Sequence, residues 1–266
     1  MVDFQCKDRY GWEDLLEITR LLRAPGGCPW DMEQTHQSIR RNFLEETYEV
    51  LDALDRDDSH AMCEELGDVL MQVVLHAQME TEQNRFTMAD VVDGVAKKLV
   101  YRHPHVFGTA RADTSEEVLV NWEVLKRAEK GQRSTADAIE SVPHTLPALW
   151  RAEKISGKTA KAGFNWDNAL SALGKLEEEV RELRQALEAG APADAPHGTR
   201  EELGDLLFIT AKIAQMSGVD PEEALHLACD KFDRRFRRLE AAADKPLPSY
   251  TEQELIALWE RTKEPS

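Results

Sequence analysis

The chain has 266 residues, 42% hydrophobic and 31% charged, with 14 Gly and 11 Pro. That excludes collagen-like and low-complexity classes and leaves an ordinary globular protein of one large domain or two smaller ones. Lys and Arg number 33 against 50 Asp and Glu, a net charge of −17, so the surface repels phosphate backbones and general DNA or RNA binding is disfavoured. A small phosphate ligand stays open, because a divalent metal reverses the local sign.

In chain order, Asp3, Asp8, Glu13 and Asp14 give the first residues the wrong charge for a signal or transit peptide. Residues 24–29 (APGGCP) break a helix. Phe43, Leu44, Thr47, Val50, Leu51 and Leu54 then recur at three and four residues, as do Leu66, Val69, Leu70, Val73, Val74 and Ala77. That spacing predicts two amphipathic helices joined by a short polar turn at 55–59, and hence antiparallel packing. Residues 69–77, the longest apolar stretch, are too few to span a membrane and hold Gln72 and His76. Arg102-His103-Pro104 ends another helix, and residues 131–147, with Ser134, Pro143 and Pro147, read as an interdomain connection. Helical spacing returns at Leu176, Val180, Leu183 and Leu187, and again at Leu203, Leu206, Leu207, Thr210, Ile213 and Ala214. Between these two runs lies AGAPADAPHGT at 189–199, which reads as a flexible loop, and residues 245–249 form a further extended piece. Period-two stretches are nearly absent, so the reading is all-α. Cys6, Cys28, Cys63 and Cys229 form no CxxC pair, which argues against a disulfide framework or structural zinc and fits a reducing cytosol.

The chain repeats itself. Trp30-Asp31 returns as Trp166-Asp167, Glu45-Glu46-x-x-Glu49 as Glu178-Glu179-x-x-Glu182, and Glu65-Leu66-Gly67-Asp68 as Glu202-Leu203-Gly204-Asp205. Lys98 and Arg102 match Lys231 and Arg235, and Trp122 and Lys126 match Trp259 and Lys263. Every offset lies between 133 and 137 residues, so two homologous helical domains make up the chain.

The repeated acids carry the chemistry. Residues three or four apart share a helix face, so Glu46 and Glu49 point together, with Glu45 about 100° away from Glu46. Glu65 and Asp68 do the same on the next helix. Four or five carboxylates then converge beside apolar runs, which is costly unless cations neutralise them. All-oxygen ligands suit Mg²⁺ or Mn²⁺ rather than zinc, and the implied chemistry is phosphoryl transfer or phosphoanhydride hydrolysis. A Glu-rich helix on its own is usually a solvated face, but four motif pieces recurring in order weigh against that here. Lys98 with Arg102, and Lys231 with Arg235, are spaced to reach phosphate oxygens or else to bridge acids such as Asp93 or Asp230. Trp122 with Lys126, and Trp259 with Lys263, are able to stack a base and hold a phosphate, or simply to fill a core. Two ExxH pairs, Glu33 with His36 and Glu223 with His226, leave a di-iron carboxylate protein open, but they fall at non-equivalent places in the repeats. The His103/His105 pair reads as a structural turn.

CPWD (28–31), LEETYEVLDAL (44–54), EELGDVLMQVVLHAQM (64–79) and RHPHVFG (102–108) resemble the MazG family of nucleoside triphosphate pyrophosphohydrolases. GFNWD (163–167), EELGDLLF (201–208) and KFDRRFRRLE (231–240) resemble the second domain of its tandem form. The resemblance implies two tandem all-α helical-bundle domains, at 1–130 and 148–266 with a linker at 131–147. It also implies a homodimer, Mg²⁺ dependence with Mn²⁺ as a substitute, and hydrolysis of NTP to NMP and pyrophosphate as nucleotide-pool housecleaning. Carried over by motif, the metal ligands are Glu46, Glu49, Glu65 and Asp68 in the first domain and Glu179, Glu182, Glu202 and Asp205 in the second. Glu45 and Glu178 lie outside them, orienting or deprotonating the attacking water. Lys231, Arg235, Trp259 and Lys263 match nucleotide-contacting positions, with Lys98, Arg102, Trp122 and Lys126 as first-domain counterparts. The resemblance implies that the second domain carries most of the activity. A narrower dUTP- or dCTP-type pyrophosphatase and a non-catalytic acidic binding module stay open, and protein partners are not legible.

Overall fold

The structure, a computed structural model, describes residues 4–190 and 192–262, and among these it contains helices and connections but no strand. The chain divides into two compact units, one ending at Lys126 and one beginning at Arg127. The first holds α1 (Trp12–Arg23), α2 (Pro29–Glu33), α3 (Arg40–Asp55), α4 (Ser59–Glu82), α5 (Met88–Arg102), α6 (Pro104–Phe107) and most of α7 (Ser115–Glu129). The second holds α8 (Thr135–Glu140), α9 (Ala148–Lys161), α10 (Ala169–Ala189), α11 (Thr199–Met216), α12 (Pro221–Ala242), a 3-10 turn (Leu247–Ser249) and α13 (Glu252–Arg261). Helices α1, α3, α4, α5 and α7 recur in order as α9, α10, α11, α12 and α13, at the spacing of the sequence repeat. The stretch expected as a linker carries α8, which packs on α9.

Local chemistry sets the boundaries. Asp58 caps α4 by accepting from the His60 and Ala61 N–H groups, and Asp220 caps α12 in the same way with Pro221 in the first turn. Reciprocal capping boxes open α5 (Thr87/Asp90), α8 (Ser134/Asp137) and α13 (Thr251/Glu254). Gly190 closes α10 at φ 59°, a left-handed geometry that favours glycine.

Each unit is built on a helical hairpin: α3 on α4, flanked by α1 and α5, and α10 on α11, flanked by α9 and α12. Ile39, Leu75 and Met79 form a buried cluster in the first. The connection into α3 is tied down from both sides. Arg23 makes two 2.9 Å bonds to Glu82 and also donates to the Asp31 and Gln34 carbonyls. His36 meets Glu80 through Nε2 at 2.6 Å, and its Nδ1 lies 2.7 Å from His76 Nδ1, so the two rings share one proton. Burial, and then the neighbouring His36, push the His76 imidazole below its ordinary pKa. Many large apolar side chains remain exposed, among them Leu44, Tyr48, Leu66 and Leu119 in the first unit and Leu170, Leu203, Leu227 and Phe232 in the second. No helix among the described residues is long and apolar enough to cross a membrane.

Candidate active site

The hairpins bring the repeated acids together. In the first unit, carboxylate oxygens of Glu46 and Glu49 on α3 and of Glu65 on α4 lie within 4.8 Å of one another. Desolvation first, then the hydrogen bond to Glu49 and the charges of Asp68, Glu49 and Glu65, raise the Glu46 carboxyl above its ordinary pKa. Glu65 is raised by desolvation and by Glu49, Glu64 and Asp68, with Arg56 opposing. Like charges this close hold protons unless a cation replaces them. Asp68 therefore acts on the cluster electrostatically, just outside the closest three. Glu45 does not join it: Arg41, one turn earlier, takes its carboxylate at 2.7 Å.

In the second unit the close set is Glu179 on α10 with Glu202 and Asp205 on α11, again within 4.8 Å. Glu179 and Glu202 are both buried, Glu202 to 4% exposure. Glu182 joins them through a hydrogen bond with Glu179, and desolvation followed by that bond raises its pKa. Sequence reasoning missed Lys175. Its ammonium stands 2.8 Å from Glu179 and 2.9 Å from Glu178, and these contacts hold it charged well above the usual lysine range. The same hydrogen bond lowers the Glu178 pKa, so Glu178 is an ionised carboxylate held beside the cluster. The signal was present, since Lys175 lies three and four residues before the two acids, but such spacing is also that of any surface helix pair. His197, in the α10–α11 connection, is the other missed neighbour, with Nδ1 3.6 Å from Glu202.

The basic and aromatic residues also pair. In the first unit the Arg102 guanidinium sits 5.1 Å from the centre of the Trp122 ring, and the Lys126 ammonium 4.6 Å. In the second, Arg235 lies 4.0 Å over Trp259, whose other neighbour is Phe232 at 5.1 Å between centroids. The two arginines differ. Arg102 is buried and engaged by the fold, whereas Nε and Nη2 of Arg235 are buried without an acceptor among the described residues. Lys98 and Lys231 are exposed, and Asp93 pairs with Lys97 rather than Lys98. Lys263 lies outside the described residues. Glu33 ends α2 and His36 lies beyond it, so that ExxH pair does not share one helix, whereas Glu223 and His226 both lie on α12 and join neither acid set. His103 closes α5 with Nδ1 on the Leu99 carbonyl, as a structural turn.

Two helical hairpins, each converging acids and followed by a cation-on-tryptophan pair, define a duplicated all-α protein with one acid set per repeat. The MazG nucleotide pyrophosphohydrolase domain matches this chain twice, over residues 34–107 and 168–239, and the chain belongs to that family. A nucleoside triphosphate pyrophosphohydrolase of Escherichia coli K12 is 42% identical over 257 residues, covering 94% of this chain and 95% of its own. The nucleoside triphosphate pyrophosphohydrolase/pyrophosphatase MazG of Thermotoga maritima is 38% identical over 255 residues, covering 95% of each. A shorter match, 41% over 154 residues, links 57% of the chain to 45% of a nucleoside triphosphate pyrophosphohydrolase of Mycobacterium tuberculosis.

Proposed function

We propose that the chain hydrolyses nucleoside triphosphates to nucleoside monophosphate and pyrophosphate in a Mg²⁺-dependent reaction, chiefly at the second repeat, as a housecleaning activity on the nucleotide pool. The observation that carries this is the meeting of buried Glu179 and Glu202 with Asp205 on the α10–α11 hairpin.

The donor set fits a hard divalent cation. It is all oxygen, and desolvation, then the hydrogen bond to Glu179, raise the Glu182 carboxyl even though Lys175 stands beside the set. Glu179, Glu182, Glu202 and Asp205 would hold Mg²⁺ or Mn²⁺, and Glu46, Glu49, Glu65 and Asp68 would do so in the first repeat. When bound, such an ion supplies charge neutralisation at the phosphates and a water of lowered pKa. The chain's own residues do the rest. Ionised Glu178 is the group available to accept a proton from an attacking water, and Lys175 keeps it ionised. Arg235, with its unsatisfied Nε and Nη2, offers donors to the oxygens of the leaving pyrophosphate, and Lys231 and Lys263, which recur in the repeat, add positive charge. Trp259, held under Arg235, provides a ring for the base. A second copy of the chain covers the exposed apolar helix faces, giving a homodimer.

The test is release of pyrophosphate and monophosphate from a panel of NTPs and dNTPs, with Mg²⁺ and with EDTA. Turnover of several nucleotides that EDTA abolishes is the expected result. Turnover confined to dUTP or dCTP narrows the substrate class, and none under any metal promotes the acidic binding module.

A further inference from the structure

The second cluster has a neighbour of different chemistry. His197, Glu201 and Glu202 bring one imidazole nitrogen and two carboxylate oxygens within 4.8 Å of one another, at the end of the α10–α11 connection. Three features show that this arrangement is built. His197 adopts φ 56°, a left-handed conformation that a side-chain-bearing residue rarely takes. Gly198 follows in a space where a Cβ would meet the Ala195, Ala193 and Pro192 carbonyl oxygens at 2.6–2.8 Å, so the turn closes tightly under the histidine. The His197 N–H donates to Glu201 Oε2 at 2.7 Å, fixing the acid against the same turn.

Glu202 supplies an observation independent of the loop. Its side chain is more than nine-tenths buried, its carboxylate accepts no hydrogen bond among the described residues, and the facing His197 nitrogen stands 3.6 Å away. A charge-assisted hydrogen bond would be about 2.7–2.9 Å. Two ligands of one metal at ~2.0–2.1 Å bond length are instead roughly 3.0–3.4 Å apart, close to what is seen. A buried carboxylate without a hydrogen-bond donor calls for a cation, and the imidazole changes which cation. Oxygen-only sets suit Mg²⁺, whereas imidazole with carboxylates favours the transition metals.

We infer that His197, Glu201 and Glu202 form a second cation site that takes a divalent transition metal of the zinc class, beside the all-oxygen cluster and sharing Glu202 with it. The inference rests on the hydrolase reading only through that shared carboxylate. The first repeat carries the same H-x-x-x-E-E spacing in His60, Glu64 and Glu65, but His60 lies in the first turn of α4 and does not gather with those acids among the described residues.

The experiment is Zn²⁺ bound per chain, by equilibrium dialysis of the intact protein in excess Mg²⁺, for the wild type and for His197→Gln, Glu201→Gln and Asp205→Asn. His197 and Glu201 are exposed, so these changes leave the helices intact, which circular dichroism checks. The expected result is that His197→Gln and Glu201→Gln each lose one equivalent of zinc that Asp205→Asn keeps. Retention of that equivalent by His197→Gln, or its loss in Asp205→Asn, overturns the site. Pyrophosphate release by the wild type in Mg²⁺ alone separates the two failures. Turnover without His197-dependent zinc removes only this site, and His197-dependent zinc without turnover removes only the hydrolase reading.

Discussion

In the first repeat, Glu46, Glu49 and Glu65 face one another, and Asn42 occupies the position that Lys175 holds in the second. The first set relieves its repulsion by raising the Glu46 and Glu65 pKa values, with Arg56 opposing only at Glu65. In the second, Lys175 holds Glu178 and Glu179 by direct contact and Glu178 titrates low. The arginines part in the same way, with Arg102 engaged by the fold and Arg235 keeping two donors unsatisfied. The acids recur in both repeats, and the difference lies in the cations beside them: Lys175 against Glu178 and Glu179, and Arg235 with two donors unsatisfied. Cation placement around a common acid set is therefore what distinguishes the two repeats.

The largest expected effect tests the cores. Leu75 of the first repeat is matched by Lys212, whose side chain is only 1% exposed. Burial lowers the Lys212 pKa, and its ammonium bonds Gln215 at 2.9 Å. Leu75→Ala should destabilise the first unit by about 2–5 kcal/mol, read by urea unfolding. Lys212→Leu should stabilise the second by about 1–2 kcal/mol, because an apolar side chain replaces a desolvated amine. The lysine binds fewer protons folded than unfolded, so the gain from Lys212→Leu should shrink as pH rises through the ordinary lysine range. A destabilising Lys212→Leu would show that the amine has a partner worth more than its desolvation.

A smaller effect separates the arginines. Arg235→Ala should raise the KM for nucleotide about tenfold, the scale of a desolvated cation–π contact or a charged hydrogen bond. Arg102→Ala should act on thermal stability and leave KM in place. Equal KM effects would mean that both repeats bind nucleotide alike.

The smallest effect concerns protons. Glu46 has a raised folded-state pKa, so its contribution to stability is present below the ordinary carboxylate range and is lost as pH rises through the folded value. In EDTA at neutral pH, Glu46→Gln should therefore raise the melting temperature slightly, and the gain should vanish near pH 4. Glu178, whose pKa is lowered, should behave oppositely: Glu178→Gln lowers the melting temperature at neutral pH, and the difference fades as acid protonates the wild type.

Much of this was legible in the sequence. The three-and-four spacing of Leu66 to Ala77 and Leu203 to Ala214 marked α4 and α11, and of the EExxE and ExxD acids Glu46, Glu49 and Glu65 meet in one hairpin and Glu179, Glu202 and Asp205 in the other. Glu45 and Glu178 were expected beside the clusters, but their nearest cations, Arg41 and Lys175, were not read, because i,i+3 and i,i+4 pairs occur on every charged helix. His197 was hidden for a different reason. A proline- and glycine-containing loop reads as flexible, whereas its approach to Glu202 depends on a left-handed residue and a glycine packed under three carbonyls. The tryptophans were ambiguous between core and platform, and tertiary placement puts a cation on each ring.

The most direct measurement is pyrophosphate release in Mg²⁺ by Asp68→Asn and Asp205→Asn, compared side by side with the wild type. The account predicts that Asp205→Asn loses roughly 10²-fold or more in kcat, the scale of removing one preorganised charge-stabilising group, while Asp68→Asn stays within about twofold. Loss in Asp68→Asn with Asp205→Asn unaffected would place the working site in the first repeat and contradict it.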